Sequence, residues 1–237
     1  MTNFLVRFRL SKEKNVKKIT FFILFLFCVI YLNSQTIEEQ MLQRKEQKIR
    51  TYIYQARLGD RDAKIDVLDQ ILAEFDEMKY TEKDMKLVEL LVELAEEGSV
   101  RKVYENGRIV NDFPDVRIKA VKVLAKIKGE KAREALVNAL LYEENTMVKV
   151  EICYAMAEVG DNKNGDVLRS IIYIYRNRPN NDANLIMAII HALQKIATTN
   201  SSLYPDVVYI LTEISMGAYS RTIRETALKV LDILSKQ

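Results

Sequence analysis

The chain has 237 residues, with 36 Lys and Arg against 33 Asp and Glu and a formal charge of +3. Seven glycines, three prolines and no tryptophan supply too few turns for an all-β fold and favour helices throughout. The length suits one or two ordinary domains or a short repeat array.

Residues 1–18 hold Arg7, Arg9, Lys12, Lys14, Lys17 and Lys18 against one acid, Glu13. ITFFILFLFCVIYL (Ile19–Leu32) follows without a charge, and small Ser34 stands just beyond it. The apolar run is shorter than the ~20 residues that span a bilayer comfortably. This combination predicts a secretory signal peptide over residues 1–34. Leu32 stands where a second small residue is expected, so an uncleaved signal anchor is the alternative. Bulky Phe27 before Cys28 argues against lipoprotein processing. A plain buried helix is the third reading; a leader or an anchor places the chain in the cell envelope, periplasmic or anchored in the inner membrane by residues 19–32. Six basic residues and one acid belong to this segment, so the remainder is near −2. No basic field is left there for nucleic acid. Cys153 is the one cysteine beyond the leader, so no internal disulfide is expected. Its place on an apolar stripe reads as a small buried hydrophobe rather than a reactive thiol.

Residues 35–60 read as an N-terminal helix or cap, with Thr36–Leu58 charged at first and apolar later. Residues 61–237 read as one repeat domain. Its first helix, within Asp60–Met78, puts Ile65, Leu68, Ile71, Leu72 and Phe75 on one side. The next, within Thr81–Gly98, takes Thr81 as its cap with Asp84 three residues on, and turns Leu87, Leu90, Leu91 and Leu94 inward.

GSVRKVYENGRIVNDFP (Gly98–Pro114) is long for a helix–helix connection, which usually takes about 2–8 residues. Asn106-Gly107 lies between Val103-Tyr104 and Ile109-Val110, and Asn-Gly tolerates the positive φ of a type I′ turn. The pattern predicts a two-stranded hairpin inserted over residues 99–113, with a plain loop as the alternative. Arg101, Lys102, Tyr104 and Arg108 are its expected contact groups.

From Val116 onward one apolar stripe recurs. Val116, Ala120, Val121, Leu124 and Ile127 return 32 residues on as Val148, Ile152, Cys153, Met156 and Val159. A further 37 residues give Leu185, Ile189, Ile190, Leu193 and Ile196, and a final 38 give Ile223, Ala227, Leu228, Leu231 and Leu234. Between them, Glu130–Asn145 is expected to bury Ala135, Leu136, Ala139 and Leu140. Gly165–Asn177 is expected to bury Val167, Leu168, Ile171 and Ile172, and Tyr204–Gly217 to bury Val207, Ile210, Leu211 and Ile214. Gly129, Gly160 and Gly217 sit where helices should stop, and Pro205 fits a first turn. Each buried Leu or Ile contributes about 1.5–3 kcal/mol, and only stacking pair upon pair collects that from every stripe.

These residues resemble the HEAT repeats. Asp115, Val116, Arg117, Ala120, Leu124, Ile127 and Gly129 approximate the pattern of that family's second helix. Val148, Lys149, Ile152, Met156, Val159 and Gly160 are a weaker copy, and Ile223, Arg224, Ala227, Leu231 and Leu234 another. The third copy departs from the pattern, with Ile186 where the base should be. The resemblance implies an all-α, right-handed alpha-alpha superhelix of about five helix pairs. It also implies a scaffold and binding surface with no particular chemistry, in which Arg117, Lys149 and Arg224 tie neighbouring turns together.

Reactive groups are sparse. His191 is the single histidine beyond the leader, and with Cys153 it makes two of the several ligands a zinc site needs. Neither a nucleophile elbow nor a phosphate-binding loop is present in the sequence. GDNKNGD (Gly160–Asp166) puts Lys163 and Ile172 where calcium ligands belong. Glu96-Glu97 and Glu143-Glu144 fall at helix ends and read as solvated. No catalytic residue, metal or cofactor is expected.

The second helix of each pair lines the concave side of such a stack. One outward row is Lys122, Tyr154, His191 and Lys229, flanked by Lys119 and Glu151 and by Lys126, Glu158 and Lys195. This strip and the hairpin are the candidate contacts of a non-catalytic scaffold with a protein partner, against the plainer reading of a solvated face. An accessory subunit of an exported enzyme is the second functional reading, and a nucleic-acid binder the third.

Overall fold

The computed structural model describes residues 37–160, 164–178, 181–199 and 201–236. The predicted leader, residues 1–34, lies outside them, as do residues 161–163 of the GDNKNGD segment. The chain divides into two compact units, Met1–Arg50 and Thr51–Gln237. In the first, residues 37–50 are helical.

The second unit opens with helix over residues 51–58 (α1). There follow α2 (Arg61–Ala73), a short α3 (Phe75–Met78), α4 (Met85–Glu96), strands β1 (Tyr104–Glu105) and β2 (Arg108–Ile109), α5 (Pro114–Ile127), α6 (Gly129–Tyr142) and α7 (Thr146–Val159). Then come α8 (Asp166–Asn177), α9 (Ala183–Thr199), a 3₁₀ turn at Ser201–Leu203, α10 (Tyr204–Met216) and α11 (Arg221–Leu234). Among the described residues no helix is long and apolar enough to cross a membrane.

Local chemistry starts these helices. The Asp60 carboxylate accepts from the Ala63 N–H at 3.0 Å, and Asn145 Oδ1 accepts from Met147 and Val148, each filling an orphan donor of a first turn. Pro114 and Pro205 occupy first turns, where a missing N–H does no harm. The helix placed within Thr81–Gly98 begins a turn later than its expected cap. Asp84 is the cap residue, and its carboxylate reaches back to the Thr81 N–H at 2.8 Å.

The helices then pair, α4 with α5, α6 with α7, α8 with α9 and α10 with α11. Successive pairs dock, so α2, α5, α7, α9 and α11 form one layer and α4, α6 and α8 run along the other. The result is an all-α solenoid with an inserted hairpin, its core running between the layers. The stripe positions Val116, Ala120, Val121 and Leu124 are fully buried, and so are their counterparts in α7 and α9.

The stripe changes at several places, and its members Val159 and Leu231 are half-buried. Glu74 interrupts the helix expected through Met78, leaving Ile65 and Leu72 half-buried while Val67 and Met78 turn inward. In α8 Val167, Leu168 and Ile171 are buried as expected, but Ile172 is half-buried and Ile174 and Tyr175 turn inward. Leu228 is 53% exposed, whereas its counterparts Val121, Cys153 and Ile190 are at most 1% exposed. Those three are covered by a following helix of the same layer, and α11 turns that side outward with Arg224, Glu225 and Asp232 around Leu228.

Candidate functional site

The insertion is a hairpin. Asn106 (φ 51°) and Gly107 (φ 77°) both take the left-handed backbone of a type I′ turn. Tyr104 pairs with Ile109 and Glu105 with Arg108, and the Val110 N–H donates to the Val103 carbonyl at 3.0 Å. Two two-residue strands have little stability of their own. What holds them is a polar root.

Gly98 begins that root. Its φ is +76°, and a Cβ there would lie 2.5 Å from the Asn111 carbonyl oxygen, so only glycine lets the two ends of the insertion meet so closely. Asn111 then bridges them, its Oδ1 accepting from the Val103 N–H at 2.9 Å and its Nδ2 donating to the Arg101 carbonyl at 2.7 Å. The Glu96 carboxylate, in the last turn of α4, accepts from Arg101 Nε at 2.8 Å and from Asn138 Nδ2 of α6 at 2.6 Å.

Arg117 of α5 completes the joint. It is 2% exposed. Its Nε and Nη2 donate to the two oxygens of Glu143 at 2.7 and 3.1 Å, and its Nη1 donates to Asp112 Oδ1 at 2.7 Å and to the Glu97 carbonyl at 2.9 Å. One guanidinium thus ties both ends of the insertion to the α6–α7 turn. Burial opposes its charge, but the hydrogen bonds to Glu143 and Asp112 outweigh that and hold its pKa above the ordinary arginine value. Glu143 also accepts from the Glu144 and Asn145 N–H groups at 3.0 and 2.8 Å, which fixes the start of α7.

This network corrects the expectation that the paired acids are solvated. Glu96 and Glu143 are buried and Glu97 is half-buried against Lys64; only Glu144 of the four is exposed. The folded insertion covers them, and a cation or an amide donor stands at each buried carboxylate. Lys149 is half-buried and Arg224 exposed, and among the described residues neither makes an ion pair, whereas Arg117 makes two.

The hairpin's expected contact groups take different places. Tyr104 is 61% exposed, and Arg108 is exposed and makes no ion pair among the described residues. Lys102 reaches Glu144 at 3.1 Å, and Arg101 is committed to Glu96. Val103 and Val110 are exposed on the root side of Tyr104, giving the hairpin an apolar as well as a cationic character.

The strip on the α5–α7–α9–α11 layer divides in two. On its first half, Lys119 pairs with Asp69 of α2, Lys122 lies 3.8 Å from Glu151 of α7, and Lys126 sits 5.1 Å above the Phe75 ring. On its second half, Tyr154 and His191 bring their rings to 5.5 Å between centroids across α7 and α9. Glu158, Lys195 and Lys229 are exposed and make no ion pair among the described residues. Cys153 lies beneath this half, fully buried, and burial pushes its thiol up to about 12. Among the described residues no group of three or more His, Cys, Asp or Glu could hold a metal ion.

Residues 108–174, from β2 into α8, match the family model of the HEAT repeats. Comparison with curated proteins found no match.

Proposed function

We propose a function from one premise: the stacked helix pairs of this chain are HEAT-like repeats. Such repeats generally mediate protein–protein interaction and are typically non-catalytic. On our reading the chain is a non-catalytic scaffold of the cell envelope, which presents the inserted hairpin and the strip on α5, α7, α9 and α11 to a protein partner. The observation that carries this is the hairpin's root. A buried guanidinium with four hydrogen bonds fixes the base of an insertion that exposes Val103, Tyr104, Arg108 and Val110 along its length. A rigid mount for exposed apolar and cationic groups lowers the entropy lost when they meet a partner. The envelope location rests on residues 1–34, with their basic stretch and uncharged Ile19–Leu32.

Affinity capture from envelope extract, with wild-type chain and with a Tyr104→Ala/Arg108→Ala variant, tests the reading. A stable protein partner that the variant fails to retain is expected. Equal capture by both would remove the hairpin from the interface, and turnover of a substrate by the purified chain would remove the scaffold reading itself. N-terminal sequencing of the exported product decides between a cleaved leader and an anchor.

A further inference from the structure

We propose that the α7–α9–α11 half of the strip is the half that binds, and that it takes an extended acidic peptide segment led by an aromatic residue. This rests on the scaffold reading and adds the chemistry of the partner. The α2–α5 side is already satisfied by its own neighbours, since Lys119 and Lys122 face carboxylates of adjacent helices and Lys126 covers Phe75. A partner there would have to displace those contacts. Across the α7–α9–α11 half, Lys195 and Lys229 stand exposed without an ion pair among the described residues, next to the Tyr154–His191 ring pair. Ile233, 44% exposed, occupies in α11 the position held by Lys195 in α9, so the far end of the strip is apolar again.

Glu158 sets the direction. It is exposed one turn beyond Tyr154 and repels acids over α7, while Lys195 and Lys229 attract them over α9 and α11. The peptide's aromatic ring therefore extends the Tyr154–His191 pair, and its acids follow toward α11. Adjacent helix axes lie about 8–10 Å apart, so two steps span about 16–20 Å, the reach of roughly five or six extended residues. A continuous polyanion crossing the whole strip would pass over both Glu151 and Glu158, which favours a short acidic peptide over duplex DNA.

The experiment is selection of a displayed random-peptide library on the full chain, followed by anisotropy titration of the enriched peptides. Enriched peptides are expected to carry an aromatic residue followed by acids. A Lys195→Glu/Lys229→Glu variant should weaken them by about tenfold or more, and a Lys122→Glu/Lys126→Glu variant by no more than about twofold. All four side chains are exposed, so helical circular dichroism should match wild type in both variants. No enrichment, enrichment of basic or neutral peptides, equal loss in both variants, or preference of the Lys195/Lys229 pair for duplex DNA or anionic vesicles would each overturn the proposal. If the Lys195→Glu/Lys229→Glu chain still captures the same envelope partner as wild type, the scaffold reading stands and this inference falls. If wild type captures no partner while the selected peptides behave as described, the scaffold reading falls by itself.

Discussion

Two joints in the stack use one arginine each, in unlike surroundings. At the first, Arg117 ties the α4–α5 insertion to the α6–α7 turn through Glu143, Asp112 and a carbonyl; Arg117 and Glu143 are buried, and Asp112 is open to solvent. At the second, Arg178 follows α8 and ties it to Tyr219, between α10 and α11, through the Tyr219 hydroxyl. Its guanidinium lies 4.1 Å from the Tyr175 ring centroid and 5.7 Å from that of Tyr219. Both tie one corner of the stack to the next. They differ because the first must also seat an insertion with two chain ends. Those ends bring carbonyls and acids that need donors, and a buried cation with five N–H groups satisfies several at once. The second corner has aromatic faces instead, which accept the charge without a buried carboxylate.

The difference predicts unequal costs. Arg117→Leu leaves Glu143 buried without its cation and should cost about 3–5 kcal/mol, read by urea unfolding of the full chain. A loss near 1 kcal/mol would mean that the joint is solvated in practice. Between the joints lies the dry stripe, and Cys153 reports on it. Its folded pKa of about 12 is above the ~8.5 of a free thiol, so the stabilising difference is complete below pH ~8.5 and is lost as pH rises toward 12. Across that window its contribution should fall by about 1.4 kcal/mol per pH unit, and Cys153→Ala should lack that component of the slope. Identical slopes for both proteins would place the thiol in contact with water.

At the second joint Arg178→Ala should cost about 1–2 kcal/mol, less than Arg117→Leu because no carboxylate is left buried and unpaired. A cost as large as that of Arg117→Leu would erase the distinction between the joints. Leu228→Lys, on the open side of α11, should change the unfolding free energy by less than about 0.5 kcal/mol. The same change at its buried counterpart Ile190 should unfold the chain. Equal effects at the two would show that α11 is covered.

The comparison also shows what a sequence reveals. The apolar stripe at 32-, 37- and 38-residue spacing was legible because burial of Leu, Ile and Val follows helical period, and it located α5, α7, α9 and most of α11. Asn106-Gly107 disclosed the hairpin because its turn needs two positive φ angles. Leu228 misled, since the pattern is the same whether or not another helix lies against it. Glu143 misled more deeply. Acids at a helix end are ordinarily solvated, and its burial depends on Arg117, 26 residues away, and on an insertion folded between them. No periodicity encodes that meeting. The strip's division is of the same kind: Lys119, Lys122 and Lys195 look alike in sequence, and only the neighbours Asp69 and Glu151 separate them.

Hydrogen exchange at the hairpin, followed in wild type and in Arg117→Leu, tests the rooted mount most directly. In wild type the Val103 and Val110 amides, which donate to Asn111 Oδ1 and to the Val103 carbonyl, should be protected to a degree comparable with the α5 core. In the variant that protection should vanish while α9 keeps its own. Free exchange of both amides in wild type would contradict the account, because the hairpin would then be a loose loop that Arg117 does not hold.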